Sequence, residues 1–241
     1  MNKDVLTPDE ELKCHAAKKA LELVSDGMAI GLGTGSTIVH FINLLGEKIT
    51  TGKLRDISVV PTSIRSAQMA ADYRIPIINL AQVAKLDLVI DGADEVDPHL
   101  NLIKGMGGAL LREKIVAMNA CEFIVIVDES KLVSCLGTKS PLPVEIVPFE
   151  SQIHLRWLST LGSKAELMLG ADQLPVITDN GNYISLCYFN HQDPPGIPDP
   201  YRLSAQIKAH TGIVEHGLFL DMTSMVVAAT PSGIRILEHE K

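Results

Sequence analysis

Between Met28 and Leu45 the chain passes from an apolar run, Met28-Ala-Ile30, through Gly31-Leu-Gly-Thr-Gly-Ser-Thr37 and into a stretch, Ile38 to Leu45, whose apolar residues recur with helical spacing. Apolar run, glycine turn and period-3.6 stretch in that order predict a strand, a tight turn and a helix. A strand that leads straight into a helix has few homes, because it must join a parallel sheet whose faces are covered by helices. The rhythm continues. Residues 57–60 read as a strand, 63–73 as a helix, 75–80 and 86–90 as strands, 109–121 as a helix and 123–127 as a strongly apolar strand. Earlier, Thr7 before Pro8 opens a helix that runs through Leu12 to Val24 and stops near Gly27, threonine capping the orphan N–H groups. The expected fold class is α/β, a doubly wound, mostly parallel, Rossmann-like sheet.

From Pro141 to Pro148 the character changes, and prolines this dense predict an edge strand or a hinge. A smaller α+β domain is expected beyond it, with a short helix near 152–161, a hairpin turn at Asn180-Gly181, a proline-rich loop over 193–200 and a helix near 201–210. The apolar run from Met225 to Ala229 is expected to return to the first sheet. The expected bounds are therefore 1–137 with 216–241 for the Rossmann-like domain and 138–215 for the smaller one.

The glycine turn also has chemistry. Gly31, Gly33 and Gly35 allow close approach of the backbone, while Ser36 and Thr37 place hydroxyls at a helix N-terminus, beside unpaired N–H groups and the positive end of the dipole. A phosphate is held well there; the plain alternative is a turn that is merely tightly packed. Ser36 stands where a dinucleotide fingerprint needs its third glycine, and Pro61-Thr-Ser63 supplies no ribose-binding acid after the next strand. No lysine precedes Ser36 as in a nucleotide-binding P-loop. A phosphorylated small molecule fits better than a nucleotide.

A second cluster follows the strand at 86–90: Asp91-Gly-Ala-Asp-Glu95, then Lys104-Gly-Met-Gly-Gly108 and Arg112-Glu113-Lys114. Ligands of open α/β sheets bind at the carboxyl ends of strands, so these acids face a crevice, unless they form only a solvated acidic turn. A net charge of −8 argues against a nucleic-acid surface. An anionic ligand then requires lysines concentrated locally. Lys13, Lys104 and Lys131 are the candidates, each otherwise an ordinary surface lysine. The N-terminus lacks the apolar core of a leader, and no apolar run approaches a membrane span, which points to a cytoplasmic protein. Cys14, Cys121, Cys135 and Cys187 are too scattered for a disulfide framework or a zinc site, and no histidine spacing suits a metal. The acids Asp91, Asp94, Glu95 and Asp97 do not follow the calcium-loop pattern, so neither a metal nor a cofactor is expected.

Taken together with Pro141-Leu-Pro-Val-Glu145, Asp128-Glu-Ser-Lys131, Thr178-Asp-Asn-Gly181 and Gly217-Leu-Phe219, these segments resemble, in order and over nearly the whole chain, ribose-5-phosphate isomerase of type A. The family more often has glycine where Met106 stands and threonine where Leu111 stands. The resemblance implies interconversion of ribose 5-phosphate and ribulose 5-phosphate through an enediolate, in the non-oxidative branch of the pentose phosphate pathway. It implies Glu113 as general base and Lys104, with the N–H groups around Gly105, Met106 and Gly107, as stabiliser of the oxyanion. Asp91 and Asp94, with Gly92 and Ala93 between them, would hold sugar hydroxyls and assist ring opening, which of the two carries the proton being left open. Phosphate would sit on Thr34, Gly35, Ser36 and Thr37, with Lys13 and Lys131 as further contacts. A homodimer or tetramer is implied as well. Glu113 has a bland alternative, a surface residue on a charged helix. Three other functions compete: a glucosamine-6-phosphate deaminase, whose acid and histidine motif is not found; a nicotinamide-dependent dehydrogenase, disfavoured by the glycine spacing; and a sugar-phosphate-sensing module without catalysis, which Asp91, Asp94, Lys104 and Glu113 argue against.

Overall fold

The computed structural model describes residues 7–239; residues 1–6, on which the reading for a leader partly rests, and 240–241 lie outside the described residues. In chain order the elements are α1 (Pro8–Ala20), β1 (Ala29–Leu32), α2 (Ser36–Thr50), β2 (Ser58–Pro61), α3 (Ile64–Asp72), β3 (Leu86–Asp91), β4 (Glu95–Val96), β5 (Leu102–Ile103), α4 (Leu110–Met118), β6 (Ala120–Asp128), β7 (Leu142–Ile146), α5 (Ser151–Ser159), β8 (Lys164–Leu167), β9 (Tyr183–Tyr188), α6 (Pro200–Lys208), β10 (Ile213–His216), β11 (Leu218–Phe219), β12 (Met225–Thr230) and β13 (Gly233–Glu238). They form two compact units. The first comprises Met1–Gly92, Ile115–Lys131 and Thr223–Lys241, the second Ala93–Lys114 and Leu132–Met222, so the division falls inside α4. The bounds expected from sequence differ mainly in assigning 93–114 to the first unit. Here β5 pairs with β4 on one side and with β11 on the other, which ties that segment to the second.

In the first unit the sheet order is β13-β12-β6-β3-β1-β2. Every neighbouring pair except the hairpin β12–β13 is parallel, as a doubly wound sheet requires. β12 returns beside β6, Met225 opposite Ile124. Its core packs Ala16, Ala17 and Ala20 of α1 and Ile38, Phe41, Ile42 and Leu45 of α2 with Ile30, Leu32, Leu88, Ile90, Ile124 and Ile126 of the sheet. Two expectations need correction. Residues 75–80 form no strand but a single bridge, Ile77 to Val59, because Pro76 has no N–H with which to extend a ladder. The helix expected to reach Cys121 ends at Met118, where the Asn119 carbonyl accepts from Leu86 N at 2.8 Å and starts the pairing of β6 with β3. β13 was not foreseen; its residues are mostly exposed and carry no clean alternation.

The second unit has an antiparallel sheet, β10-β7-β9-β8, and a small sheet, β11-β5-β4. Leu142, Val144 and Ile146 of β7 pack with Leu155 and Leu158 of α5 and Leu203 and Ile207 of α6. The prolines did not make β7 an edge: it lies between β9 and β10. β10 pairs only from Val144 to Ile146, so Pro143 sits beyond that ladder, where its missing N–H costs nothing on that side.

Candidate active site

In the first unit β2 lies on one side of β1 while β3, β6 and β12 lie on the other, which puts the topological switch between β1 and β3. Carboxyl ends of strands at such a switch are where open sheets bind ligands. Gly33 and Asp91 meet there. A Cβ on Gly33 would stand 2.1 Å from Asp91 Oδ1, so only glycine lets this carboxylate lie against the turn. Asp91 is 1% exposed, and its Oδ1 accepts from Thr34 N at 3.1 Å and from Gly92 N at 2.7 Å. The turn is fastened from outside. Thr34 Oγ1 shares hydrogen bonds with Thr62 Oγ1 (2.8 Å) and Ser66 Oγ (3.3 Å), and Ser66 Oγ donates to the Gly33 carbonyl at 2.6 Å. Gly35, at φ +130°, turns the chain into α2, whose first residue Ser36 is exposed. The hydroxyl of Thr34 is thus engaged in holding the loop.

Lys13 and Lys131 belong to this unit too. Lys13 Nζ contacts Glu10 Oε1 at 2.6 Å, and Glu10 Oε2 reaches His40 Nε2, also at 2.6 Å, in the second turn of α2. Those bonds from Lys13, then His40, hold the Glu10 carboxyl below its usual range. Lys131 ends a short 3-10 turn after β6, and β6 neighbours β3. It therefore lies along the same carboxyl edge as Asp91.

In the second unit Lys104 and Glu113 form a buried ion pair, Nζ to Oε2 3.3 Å, with side chains 3% exposed on each side. Glu113 is in the first turn of α4, where the helix dipole favours negative charge, so the reading of it as a surface residue falls away. Lys104 is held through its backbone N–H, which donates to the Gly217 carbonyl at 2.9 Å. Its ammonium lies 5.5 Å from the centre of the Phe219 ring, within cation–π range. Gly217 is required sterically, since a Cβ there would be 2.1 Å from the Lys104 carbonyl. Asp94 Oδ2 accepts from Met106 N at 3.1 Å. In this structure that N–H is given to a carboxylate. Gly105, at φ +114°, forms the turn that brings Met106 round. The side chains of Met106 and Leu111 pack against Leu110, Ile184 and Leu186, so both departures from the family pattern fill an apolar cluster with β9.

Sequence reasoning missed Glu95. It is fully buried and accepts three backbone N–H bonds, from Lys139 and Ser140 at Oε1 (2.6 Å each) and from Gly137 at Oε2 (2.5 Å). It organises a loop, and its place inside an acidic cluster disguised that role. Ser66 was missed because its sequence surroundings are ordinary; Thr62 and Phe219 lie in segments noted above, but nothing local showed that they fasten the glycine turn and face the Lys104 ammonium. Among the described residues no group of three or more His, Cys, Asp or Glu is placed to hold a metal ion, and no helix is long and apolar enough to cross a membrane.

The model of one protein family, ribose 5-phosphate isomerase A (phosphoriboisomerase A), matches residues 58–233. The ribose-5-phosphate isomerase A of Pyrococcus horikoshii is 46% identical over 231 residues, 95% of this chain and 99% of that protein. The chain belongs to the ribose 5-phosphate isomerase A family. The corresponding protein of Roseiflexus castenholzii is also 46% identical, over 95% of this chain and 96% of its own length. Among solved structures, a D-ribose-5-phosphate isomerase in complex with phospho-erythronic acid superposes with TM-score 0.92 and 46% identity, covering 97% of this chain and 100% of that one. The ribose 5-phosphate isomerase A of Methanocaldococcus jannaschii gives TM-score 0.89 at 43% identity, covering 96% of this chain and 100% of its own. Asp91, Asp94, Lys104, Glu113 and Lys131 lie inside the span the ribose 5-phosphate isomerase A model matches; Lys13 and the loop 33–37 precede it. Family membership favours catalysis over a sensing module.

Proposed function

We propose that this family member interconverts ribose 5-phosphate and ribulose 5-phosphate by proton transfer through an enediolate, with Glu113 as the base. The aldose–ketose isomerisation follows from the family; the assignment of residues rests on one observation, the buried Lys104–Glu113 pair. In the open-chain aldose, Glu113 takes the proton from C2, and the C2–H electrons form the C1–C2 double bond as the carbonyl pair moves onto O1. The ammonium of Lys104 stabilises that negative charge in a site with little water to screen it. Glu113 then returns the proton to C1, the O2 hydroxyl loses its proton to leave a ketone at C2, and O1 becomes a hydroxyl. One carboxylate suffices because donor and acceptor carbons are adjacent.

Asp91 and Asp94 hold the sugar hydroxyls and assist ring opening, with Gly92 and Ala93 presenting backbone between them. Phosphate binds at Thr34, Gly35, Ser36 and Thr37, supported by the start of α2, with Lys13 and Lys131 adding charge. Gly105, Met106 and Gly107 line the sugar. Phospho-erythronic acid, the ligand of the solved relative, supports this reading: it joins a phosphate to a planar carboxylate, whose two oxygens match the pair on an enediolate. A place in the pentose phosphate pathway, a cytoplasmic location and a homodimer or tetramer belong to the same reading.

Turnover of ribose 5-phosphate in D₂O tests it. Proton transfer places deuterium in the product whenever the carboxylate's proton exchanges before its return. Direct hydride migration, which metal-bridged isomerases use, leaves the carbon-bound hydrogen in place and loses activity to EDTA with recovery on adding a divalent cation. That pattern would overturn the assignment.

A further inference from the structure

The motifs at 141–145 and 178–181 have no part in the chemistry above, yet in the second unit the 178–181 turn meets α4 beside Glu113 and is held in turn by Glu145. Arg112 donates from Nε to Asn180 Oδ1 (2.9 Å), from Nη2 to the Asp179 carbonyl (2.8 Å) and from Nη1 to Asp179 Oδ2 (3.3 Å). The turn it grips is itself anchored. Glu145, on the inner strand β7 and fully buried, accepts at a single oxygen from Thr178 Oγ1 (3.0 Å), Asn180 Nδ2 (3.2 Å) and Asn182 Nδ2 (2.8 Å). On the other side of Glu113, Lys114 donates to Glu215 Oε1 at 2.9 Å and to the His216 carbonyl at 2.6 Å. Lys208 completes that side, 3.0 Å from Glu215 Oε2. Glu145 and Glu215 are opposite one another across β7 and β10, so both tethers end on one face of the same sheet.

We propose that Arg112 and Lys114 are positioning residues, with Glu145 acting behind Arg112, and that together they brace α4 so that the Glu113 carboxylate stays against Lys104. The inference rests on Glu113 being the base. Consecutive helical residues point ~100° apart, so tethers at 112 and 114 resist rotation in both senses; a turn of ~10° about the axis would move a carboxylate ~6 Å out by ~1 Å. A shift of that size can cost ~10²-fold in rate. The brace explains why the base is flanked in sequence by two cations, Arg112 and Lys114, whose bonds run to the 178–181 turn and to β10.

Arg112 is partly exposed, so Arg112→Ala tests the brace without burying a stray charge. We expect kcat for ribose 5-phosphate to fall ~10-fold or more with KM within about twofold, since an imposed misplacement of the base affects the transition state alone. Glu145→Gln should show the same split. Combined with Arg112→Ala it should add nothing, because both act through one turn. Arg112→Lys, which keeps one donor, should restore part of the rate. Glu113→Gln serves as the control. If Glu113→Gln is inactive while Arg112→Ala keeps wild-type kcat, the brace is wrong and the base stands; if Glu113→Gln is active, the underlying reading fails. Fully additive losses in the double variant, or a fall in melting temperature from Glu145→Gln with no change in kcat, would also overturn the proposal.

Discussion

Replacing Gly33 by alanine puts a single methyl where the structure has no room for it. The new Cβ would lie 2.1 Å from Asp91 Oδ1, 2.2 Å from Cγ and 2.6 Å from Cβ. Non-bonded heavy atoms settle near ~3.5 Å, so either the β1 turn or the Asp91 carboxylate must give way by ~1 Å. Neither gives easily. Asp91 ends a central strand, and its Oδ1 takes the N–H groups of Thr34 and Gly92, while the turn is tied by Thr62 and Ser66. Overpacking costs ~1–3 kcal/mol, and loosening a hydrogen bond to a charged acceptor adds up to ~1.5–3 kcal/mol. With ~2 kcal/mol as the surviving cost after relaxation, a chain of this size loses ~4–8 °C in melting temperature. Because Asp91 would be displaced by ~1 Å, kcat/KM should fall ~10²-fold. Calorimetry and steady-state kinetics on the same preparation measure both. Gly92→Ala is the control for stability: its Cβ has only the Ile126 carbonyl within 4 Å, at 3.9 Å. Wild-type melting and kcat/KM in Gly33→Ala would refute the claim that this glycine exists to admit the carboxylate.

Two further outcomes follow from charge. Lys104→Met should lower kcat far more than it raises KM and should also destabilise the chain by ~3–5 kcal/mol, because it takes the ammonium from a buried carboxylate; Lys131→Ala should chiefly raise KM, and equal effects of the two on both parameters would count against distinct roles. Stability should fall on acidification in two stages. His216 Nδ1 accepts the Leu218 N–H at 3.2 Å, and burial, then the Lys114 charge, lower its pKa from 6.5 to about 3. Burial resists ionisation of Glu215, but Lys114 and the His216 N–H outweigh it and lower its pKa from 4.5 to about 2. Both folded-state values lie below the unfolded ones, so the unfolded chain binds protons first and stability declines from pH 6.5 to about 3 through His216, and from 4.5 to about 2 through Glu215. Melting temperature against pH should therefore drop below 6.5 and steepen below 4.5, and His216→Gln should flatten the first stage; an unchanged profile in that variant would sink the assignment.

The layout of the first unit was legible because its signals are local and agree with one another. A glycine turn between an apolar run and a periodic stretch can hardly be anything but a strand leading into a helix, and Met225 to Ala229 had no other sheet so apolar to join. Where the sequence misled, the deciding contact was distant. Pro143 looked like an edge marker, yet it lies just past the end of the β10 ladder, a register that no local pattern encodes. Residues 75–80 look like a strand and lack only the donor that Pro76 cannot supply. The chemistry-bearing residues were legible as types but not in their duties. Glu95 reads like Asp91 and Asp94, yet it holds a loop through three N–H bonds; Gly33 reads as a place for a ligand and is in the first instance a place for Asp91. The roles of Arg112 and Glu145 depend on bonds across 68 and 35 residues of chain, beyond any window a motif can span.

In the proposed reaction the Glu113 carboxylate carries the proton. Glu113→Gln keeps the shape and the packing of a side chain that is 3% exposed and removes only its capacity to accept a proton. Steady-state turnover of ribose 5-phosphate by this variant, with its melting temperature recorded alongside, is the most direct test. If Glu113 is the base, kcat falls by ~10²- to 10⁴-fold with KM nearly unchanged. A kcat within threefold of wild type in a folded variant would contradict it.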